Sequence, residues 1–361
     1  MAHSGLTKAK KSKADEFYTQ YIDVEKEINA YLEYNPNLFK GKIILLPCDD
    51  PEWSNFTKYF AQNFERFGIK KLISTSYAQE SKDIDTIYQP TLFETNTPQF
   101  DIKKTKIKGK IFKLDNDISG DGKIDINDLQ WEYLEGNGDF NSNEVKELRD
   151  EADIIITNPP FSLFRDFVQW VVSAQKQFLI IGNINAITYK EVFPLIKANK
   201  IWLGTGMGRW ISGFIVPESY ELYGSEAKID SDGNRIIATN NCLWLTNIDH
   251  GKRHQPLSLM SMSDNIKYSS HKKVKGQEYT KYDNYDAIEV PFTDAIPSDY
   301  DGVMGVPITF LDKYNPEQFE IIGASDNGAV DNKYKTPHFK KHNEPYLEGK
   351  KRYKRIFIKS K

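Results

Sequence analysis

Ten consecutive residues constrain this chain more than any others: Ala152-Asp153-Ile154-Ile155-Ile156-Thr157-Asn158-Pro159-Pro160-Phe161. Ile154 to Thr157 are all β-branched, the residue type that packs best on a pleated surface. The run has no polar alternation before Thr157, so it reads as a strand covered on both faces. Proline has no backbone N–H to give to a neighbouring strand, and a central strand cannot continue through Pro159 and Pro160. Asn158 to Phe161 therefore stand at the end of a sheet strand, the position where open α/β folds bind ligands.

The surrounding sequence supplies the rest of such a sheet. Asp23 to Leu32 read as a short helix before a loop at Asn35-Pro36-Asn37. The apolar run Ile43-Ile44-Leu45-Leu46 stops at Pro47-Cys48-Asp49-Asp50-Pro51, and Ser54 is placed to cap a helix carrying Phe56, Phe60, Phe64 and Phe67. Gly68 ends that helix, and Lys71 to Ser74 read as the next parallel strand. Tyr77 to Glu135 is too long for an ordinary crossover, so an insertion is expected at 78–135. Beyond it come a helix at Val145 to Arg149, the strand above, a crossover helix at Leu163 to Ser173 and a strand at Gln177 to Gly182. A helix and strand follow between Tyr189 and Leu203, then alternation at Trp210 to Val216 and Cys242 to Leu245, with ordered pieces at Thr309 to Tyr314 and Phe319 to Gly323. The expected class is α/β with a doubly wound sheet. Residues 1–205 form the core with its insertion, and 206–361 hold the last core strands and a recognition region.

With 361 residues, 39% hydrophobic and 27% charged, the chain can bury a sizeable core and should fold throughout most of its length. No apolar stretch has the length of a membrane helix and the N-terminus has no apolar segment, so no membrane partner and an intracellular location are expected. The two cysteines, Cys48 and Cys242, suit neither a disulfide framework nor a zinc cluster. A net charge of -3 alone argues against a nucleic-acid partner, but the charge is unevenly spread. Lysines gather at Lys8, Lys10, Lys11 and Lys13, basic residues again at Lys252, Arg253, Lys272, Lys273 and Lys275, and a third group runs from Lys333 to Lys361. Acidic residues concentrate between Asp115 and Asp153. One distinctly positive region follows, although a basic cluster is also an ordinary solvated face.

Asn-Pro-Pro-Phe suits a particular chemistry. An exocyclic amine on a purine is a poor nucleophile because its lone pair is delocalised into the ring. Two acceptors aimed at its hydrogens favour the electron distribution needed for attack, and the Asn158 side-chain oxygen and the Pro159 carbonyl are of that kind. Pro160 stiffens the presentation, and Phe161 offers an aromatic face to a base. A pocket of this sort cannot reach a base inside a duplex, so the base must leave its stack. The bland reading of the same residues is a strand-ending turn with Phe161 in the core.

Several further segments occur in order along the chain: Asp15-Glu-Phe17-Tyr18-Thr19, Cys48-Asp49-Asp50-Pro51 with Ser54-Asn55-Phe56, Gly138-Asp139-Phe140, Asn158-Pro-Pro-Phe161-Ser162, Gly182-Asn183-Ile184-Asn185-Ala186-Ile187-Thr188-Tyr189-Lys190, and Asn247-Ile-Asp249-His250-Gly-Lys252-Arg253-His254. Together they resemble the adenine-specific DNA methyltransferases related to the EcoRI modification enzyme, from the N-terminus almost to Lys361. That resemblance implies a Rossmann-like S-adenosylmethionine-dependent methyltransferase sheet and methyl transfer to the N6 of a flipped adenine in double-stranded DNA. It also implies that Phe17, Tyr18 and Thr19 lie beside the cofactor. Asp49, Asp50 and Pro51 then form the loop that meets its methionyl ammonium, while Asp139 and Phe140 serve its adenine. Asn158, Pro159, Pro160 and Phe161 are carried over as the catalytic residues. A bacterial or phage-encoded, cytoplasmic, monomeric enzyme is implied, with a cognate restriction endonuclease as a system partner and not a bound subunit. The chain departs from a common methyltransferase pattern in two places. The first loop lacks a Gly-x-Gly bend, and Leu72 to Tyr77 offer no acid for the ribose, which leaves Ser74, Thr75 and Ser76 as alternatives.

Two regions lie outside that core. Asp117, Ser119, Asp121, Lys123 (through its carbonyl), Asp125 and Asp128 occupy calcium-loop positions, with Gly122 at the turn and Ile124 at the anchor, followed by a helix-like Leu129 to Leu134. The alternatives are a structural calcium and a metal-free acidic turn. Lys252, Arg253, His254, Lys272 and Lys273 are the candidate DNA contacts. The competing functions are an RNA base methyltransferase, a protein glutamine methyltransferase and a calcium-dependent interaction module, the last of which leaves Asn158 to Phe161 unexplained.

Overall fold

The apolar runs become the centre of one large sheet. The computed structural model describes residues 18–49, 54–78, 97–207, 211–216, 222, 227–237, 241–325, 330, 332–336 and 343–361. Its first strands are β1 (Tyr18–Thr19), β2 (Ile43–Pro47), β3 (Lys71–Ser76), β4 (Lys110–Leu114), β5 (Gln130–Tyr133), β6 (Ile154–Thr157) and β7 (Gln177–Asn183). They are followed by β8 (Trp202–Met207), β9 (Phe214–Val216), β10 (Lys228–Ile229), β11 (Arg235–Ile237) and β12 (Cys242–Thr246).

Eight of these strands form a sheet in the order β5-β4-β3-β2-β6-β7-β12-β8. The central strands β3, β2, β6 and β7 are parallel, whereas β4, β5 and β12 pair antiparallel with β3, β4 and β7 in turn. Ile44, Leu45, Leu46, Ile154, Ile155 and Ile156 are fully buried, as strands covered on both faces must be. Helices Asn55–Gln62, Asn143–Glu151 and Phe164–Ser173 pack on β3, β2 and β7. The first begins where expected: Ser54 Oγ accepts the N–H of Phe56, a cap of a kind that contributes about 1 kcal/mol. Phe39, Tyr59, Phe60 and Phe67 meet edge to face or tilted beneath it. This mixed α/β sheet is consistent with the Rossmann-like fold expected from the sequence.

The topology fixes where a ligand can go. β3 lies on one side of β2 and β6 on the other, so successive connections leave in opposite directions and a crevice opens at the carboxyl ends of β2 and β6.

One segment differs from the sequence reading. Leu129 to Leu134 are not helical: β5 alternates, with Trp131 buried between exposed Gln130 and Glu132, and Lys113 pairs with Glu132 across β4 and β5 at 2.6 Å. A period of two won over helical propensity because Trp131 has a sheet face to fill, stacking on Phe112. The helix and strand expected between Tyr189 and Leu203 are a short helix, Phe193–Lys197, and the start of β8.

The chain divides into two compact units, residues 1–184 with 204–248, and residues 185–203 with 249–361. The first also holds a small sheet, β1-β9-β11-β10. The second is built on β13 (Ile288–Glu289), β14 (Met304–Pro307), β15 (Phe319–Ala324), β16 (Tyr346–Leu347), β17 (Lys350–Lys351) and β18 (Arg355–Ser360). There β13, β14, β18 and β15 form a sheet over Tyr282, Tyr285 and Phe357. Among the described residues no helix is long and apolar enough to cross a membrane.

Candidate active site

β6 ends at Thr157, and Asn158 and Phe161 are half-buried beyond it while Pro159 is buried. The loop is closed by Leu163 N–H donating to the Pro160 carbonyl at 3.0 Å. The Phe161 ring stands edge-on to Phe214 at 6.1 Å. Phe214 belongs to β9, which pairs with β1 so that Thr19 lies opposite Phe214 and Tyr18 opposite Ile215. The aromatic-threonine element and the Asn-Pro-Pro-Phe loop, far apart in sequence, thus share one corner of the first unit. Asn55, at the start of the helix after β2, donates to the Thr19 carbonyl at 2.8 Å. The Thr19 hydroxyl is buried and has no hydrogen-bond partner among the described residues.

The loop after β2 turns sharply. Cys48 has φ +73°, the left-handed conformation that glycine normally supplies. Here a cysteine takes that conformation. It returns Asp49 over the strand ends, where the carboxylate is buried, accepts from Ser54 Oγ at 2.7 Å and accepts from Thr157 Oγ1. Ser74 Oγ donates to the Asp49 carbonyl, and Thr57 Oγ1 lies 3.1 Å from Ser74 Oγ. Asp50, Pro51 and Phe17 lie outside the described residues.

The end of β3 meets a second loop. Ala78 N–H donates to the Asn137 carbonyl at 2.7 Å, and Gly138, at φ +84°, comes so close that a Cβ there would strike the Ser76 carbonyl. That approach places half-buried Asp139 beside the strand end, its carboxylate accepting from Asn141 N–H at 2.8 Å. Phe140 N–H points at the Tyr77 hydroxyl, 3.4 Å away. Burial, then the nearby Cys48 thiol, raise the Tyr77 pKa well above its usual value, so its hydroxyl stays protonated. The Phe140 ring is fully buried, edge-on to Phe167 and Trp170 at 5.2 and 5.6 Å. Ser74, Thr75 and Ser76 are all buried.

The remaining candidates are dispersed. In the 117–128 loop the carboxylates accept backbone N–H groups: Asp117 from Gly120 and Gly122, Asp121 from Lys123, Asp125 from Asn127. Asp128 gathers Ile118, Ser119 and Asp125, and the N–H groups of Ser119 and Asp125 hold its pKa at about 2. The loop closes on a carboxylate of its own, and among the described residues no group of three or more His, Cys, Asp or Glu could hold a metal ion. In the second unit, Arg253 is buried, stacked on Trp202 at 3.7 Å and bonded to Asn199 and Asp249. His254 pairs with Asp249 at 2.9 Å and Lys252 with Asp312 at 2.6 Å. Lys272 and Lys273 are exposed.

The comparisons with known proteins cover nearly the whole chain. A family model described as adenine-specific methyltransferase EcoRI matches residues 5–361. The chain belongs to the EcoRI adenine-specific methyltransferase family. It is 48% identical to the type II methyltransferase M.EcoRI of Escherichia coli, covering 99% of this chain and 96% of that one. It is 32% identical to the type II methyltransferase M.MpnI of Mycoplasma pneumoniae over 99% of this chain and 98% of that one. To M.MgeORF184P of Mycoplasma genitalium it is 34% identical, with 98% of each covered. No solved structure matches the chain. As a member of the family it is an adenine-specific DNA methyltransferase, an enzyme whose methyl donor is S-adenosylmethionine.

From the sequence, Ser54 reads as a helix cap and Ser74 as a ribose alternative, while Thr57 and Thr157 carry no assigned role. Ser54, Thr57, Ser74 and Thr157 were visible as residues, but only the fold brings them together around Asp49.

Proposed function

We propose that the crevice at the ends of β2 and β6 methylates the N6 of an adenine extruded from duplex DNA at a specific site. The observation that carries this is the placement of Asn158 at the carboxyl end of β6, next to the cofactor-side loop after β2. Asn158 Oδ1 and the Pro159 carbonyl accept the two amino hydrogens and stabilise positive charge as it develops on the nitrogen. Pro160 stiffens the loop, and Phe161, backed by Phe214, gives the base an aromatic face.

S-adenosylmethionine, when bound, supplies a methyl group on a sulfonium sulfur, which makes a metal unnecessary for the transfer. The residues fit such a group: the buried Thr19 hydroxyl lacks a partner among the described residues, and two loops converge around Tyr77. Tyr18 and Thr19 form one wall, and Phe17, Asp50 and Pro51 are the further cofactor residues that the family resemblance implies. Asp139 takes the adenine amino group, while Phe140 contributes by seating that loop in the core.

For DNA, exposed Lys272 and Lys273 are the phosphate contacts, while Lys252, Arg253 and His254 are engaged with Asp312, Asp249 and Asn199. The second unit thereby serves target recognition. The enzyme acts as a cytoplasmic monomer, with any restriction endonuclease a separate protein. A calcium ion in the 117–128 loop would have a structural role only, and equilibrium dialysis with radioactive calcium tests for it.

The deciding experiment is transfer from labelled S-adenosylmethionine to unmethylated duplex DNA, with RNA in parallel and the product nucleoside identified. N6-methyladenine at discrete DNA sites is expected, with Asn158→Ala reducing transfer by about 100-fold or more while the protein stays folded. Label in RNA alone would overturn the reading.

A further inference from the structure

The ladder between β2 and β6 is short. Its register runs from Ile44 opposite Ile154 to Leu45 opposite Ile155, yet β2 continues to Pro47 and β6 to Thr157. On its other side β6 stays in register with β7 as far as Thr157 opposite Ile180. The ladder stops where Pro47, which has no N–H to donate, would continue it, just ahead of the catalytic loop. One backbone hydrogen bond between the two strands is therefore missing immediately before Asn158.

Thr157 supplies a side-chain link there. Its side chain is fully buried, and its hydroxyl lies within hydrogen-bond reach of two acceptors on the far side, the Pro47 carbonyl and Asp49 Oδ2. The Asp49 carboxylate is itself fixed. Ser54 donates to Oδ1 while capping the following helix, and the Asp49 backbone is held by its own N–H donating to the Thr75 carbonyl at 2.9 Å and by Ser74 at its carbonyl. Every side chain in this set is buried, where hydrogen bonds to a carboxylate are strongest and a missing one is most costly.

We infer that Thr157 is a positioning residue for Asn158, its hydroxyl tying the catalytic loop to the Asp49 carboxylate and so locking the base-side and cofactor-side loops into one rigid piece. The inference rests on the reading of Asn158 as the acceptor for the reacting amine. It assigns Asp49 a different task from an exposed ammonium ligand: the post to which both loops are tied. A displacement of about 1 Å of a group that orients a reactant costs on the order of 100-fold in rate, so the tie acts on the chemical step more than on binding.

The test is a series at position 157 in the full-length protein, assayed by single-turnover and steady-state methylation of a duplex containing the target site. Thr157→Val keeps the shape and removes the hydroxyl; it should lower kcat by about 10- to 100-fold, with KM for DNA and for S-adenosylmethionine changed by less than about 3-fold. Thr157→Ala, which introduces no apolar methyl in place of the hydroxyl, should show the same split. Thr157→Ser restores the donor and should return the rate to near that of the parent. Val and Ala variants that are less stable yet turn over at the parental rate would overturn the inference, as would a Ser variant no better than Val. Asn158→Ala in parallel separates the two ideas. If it transfers normally, the reading of the acceptor fails; if it is inactive while Thr157→Val is fully active, only the tie fails.

Discussion

Glu27 makes the stability of this protein fall as pH rises through neutrality. It lies on the helix Tyr21–Tyr34, fully in the interior. The partners that hold it are dipoles: Oε1 accepts Thr205 N–H at 2.6 Å, and Oε2 accepts Thr205 Oγ1 at 2.6 Å and Gly206 N–H at 2.8 Å. Gly204 leaves it room, since a Cβ there would strike Oε1. Burial outweighs these bonds and raises the carboxyl from 4.5 to about 7. At about 1.4 kcal/mol per pH unit, that difference is worth about 3 kcal/mol. The folded pKa is above the unfolded one, so the contribution is fully present below about 4.5 and is lost as pH rises through about 7. Glu27→Gln does not titrate. It sets an amide N–H against one of the backbone donors, a fixed cost of about 1 to 3 kcal/mol at every pH. Thermal unfolding of both proteins from pH 4.5 to 8.5 isolates the titration, because other groups cancel in the difference. The parent's advantage over the variant should shrink by roughly 4 to 6 °C across that range. A difference in Tm that stays constant with pH would refute the argument that burial dominates at this carboxylate.

Three other outcomes follow from the structure. Gly138→Ala forces a side chain into left-handed backbone and against the Ser76 carbonyl; it should weaken S-adenosylmethionine binding by about 10-fold in calorimetry, through the displacement of Asp139, with a loss of about 1 to 3 kcal/mol in stability. Replacing Lys272 and Lys273 together by Ala should weaken DNA binding and reduce the slope of log K against log salt by about 2, measured by fluorescence anisotropy, leaving the rate at saturating DNA unchanged. Asp128→Asn loses one of the acceptors that close the 117–128 loop and should lower Tm in scanning calorimetry without altering kcat, because the loop takes no part in the chemistry.

How far these features could be read from the sequence depends on whether they are local. Ile154 to Phe161 declared itself because strand, stop and functional group are consecutive, and the proline pair allows only one interpretation of the order. Ser54 was legible for the same reason: a cap and its helix are adjacent. Trp131 was not, because a buried aromatic suits a helix face as well as a strand face, and only pairing with β4 decides. Cys48 illustrates a different failure. The loop after β2 lacks a Gly-x-Gly, and its left-handed residue is Cys48 at φ +73°, a residue whose type does not announce that conformation. Arg253 shows the converse: basic residues in a cluster look alike, and whether one reaches DNA depends on Trp202, Asn199 and Asp249 around it, none of which is predictable from the cluster itself. The same applies most strongly at the centre of the site. Asp49 and Thr157 are separated by more than a hundred residues, and each alone reads as an ordinary loop acid and an ordinary strand threonine. They become one device only where β2 meets β6 at Pro47, so the physical requirement, a link between two strands beside the catalytic asparagine where proline leaves a backbone bond unmade, is a property of the topology and has no counterpart in either stretch of sequence.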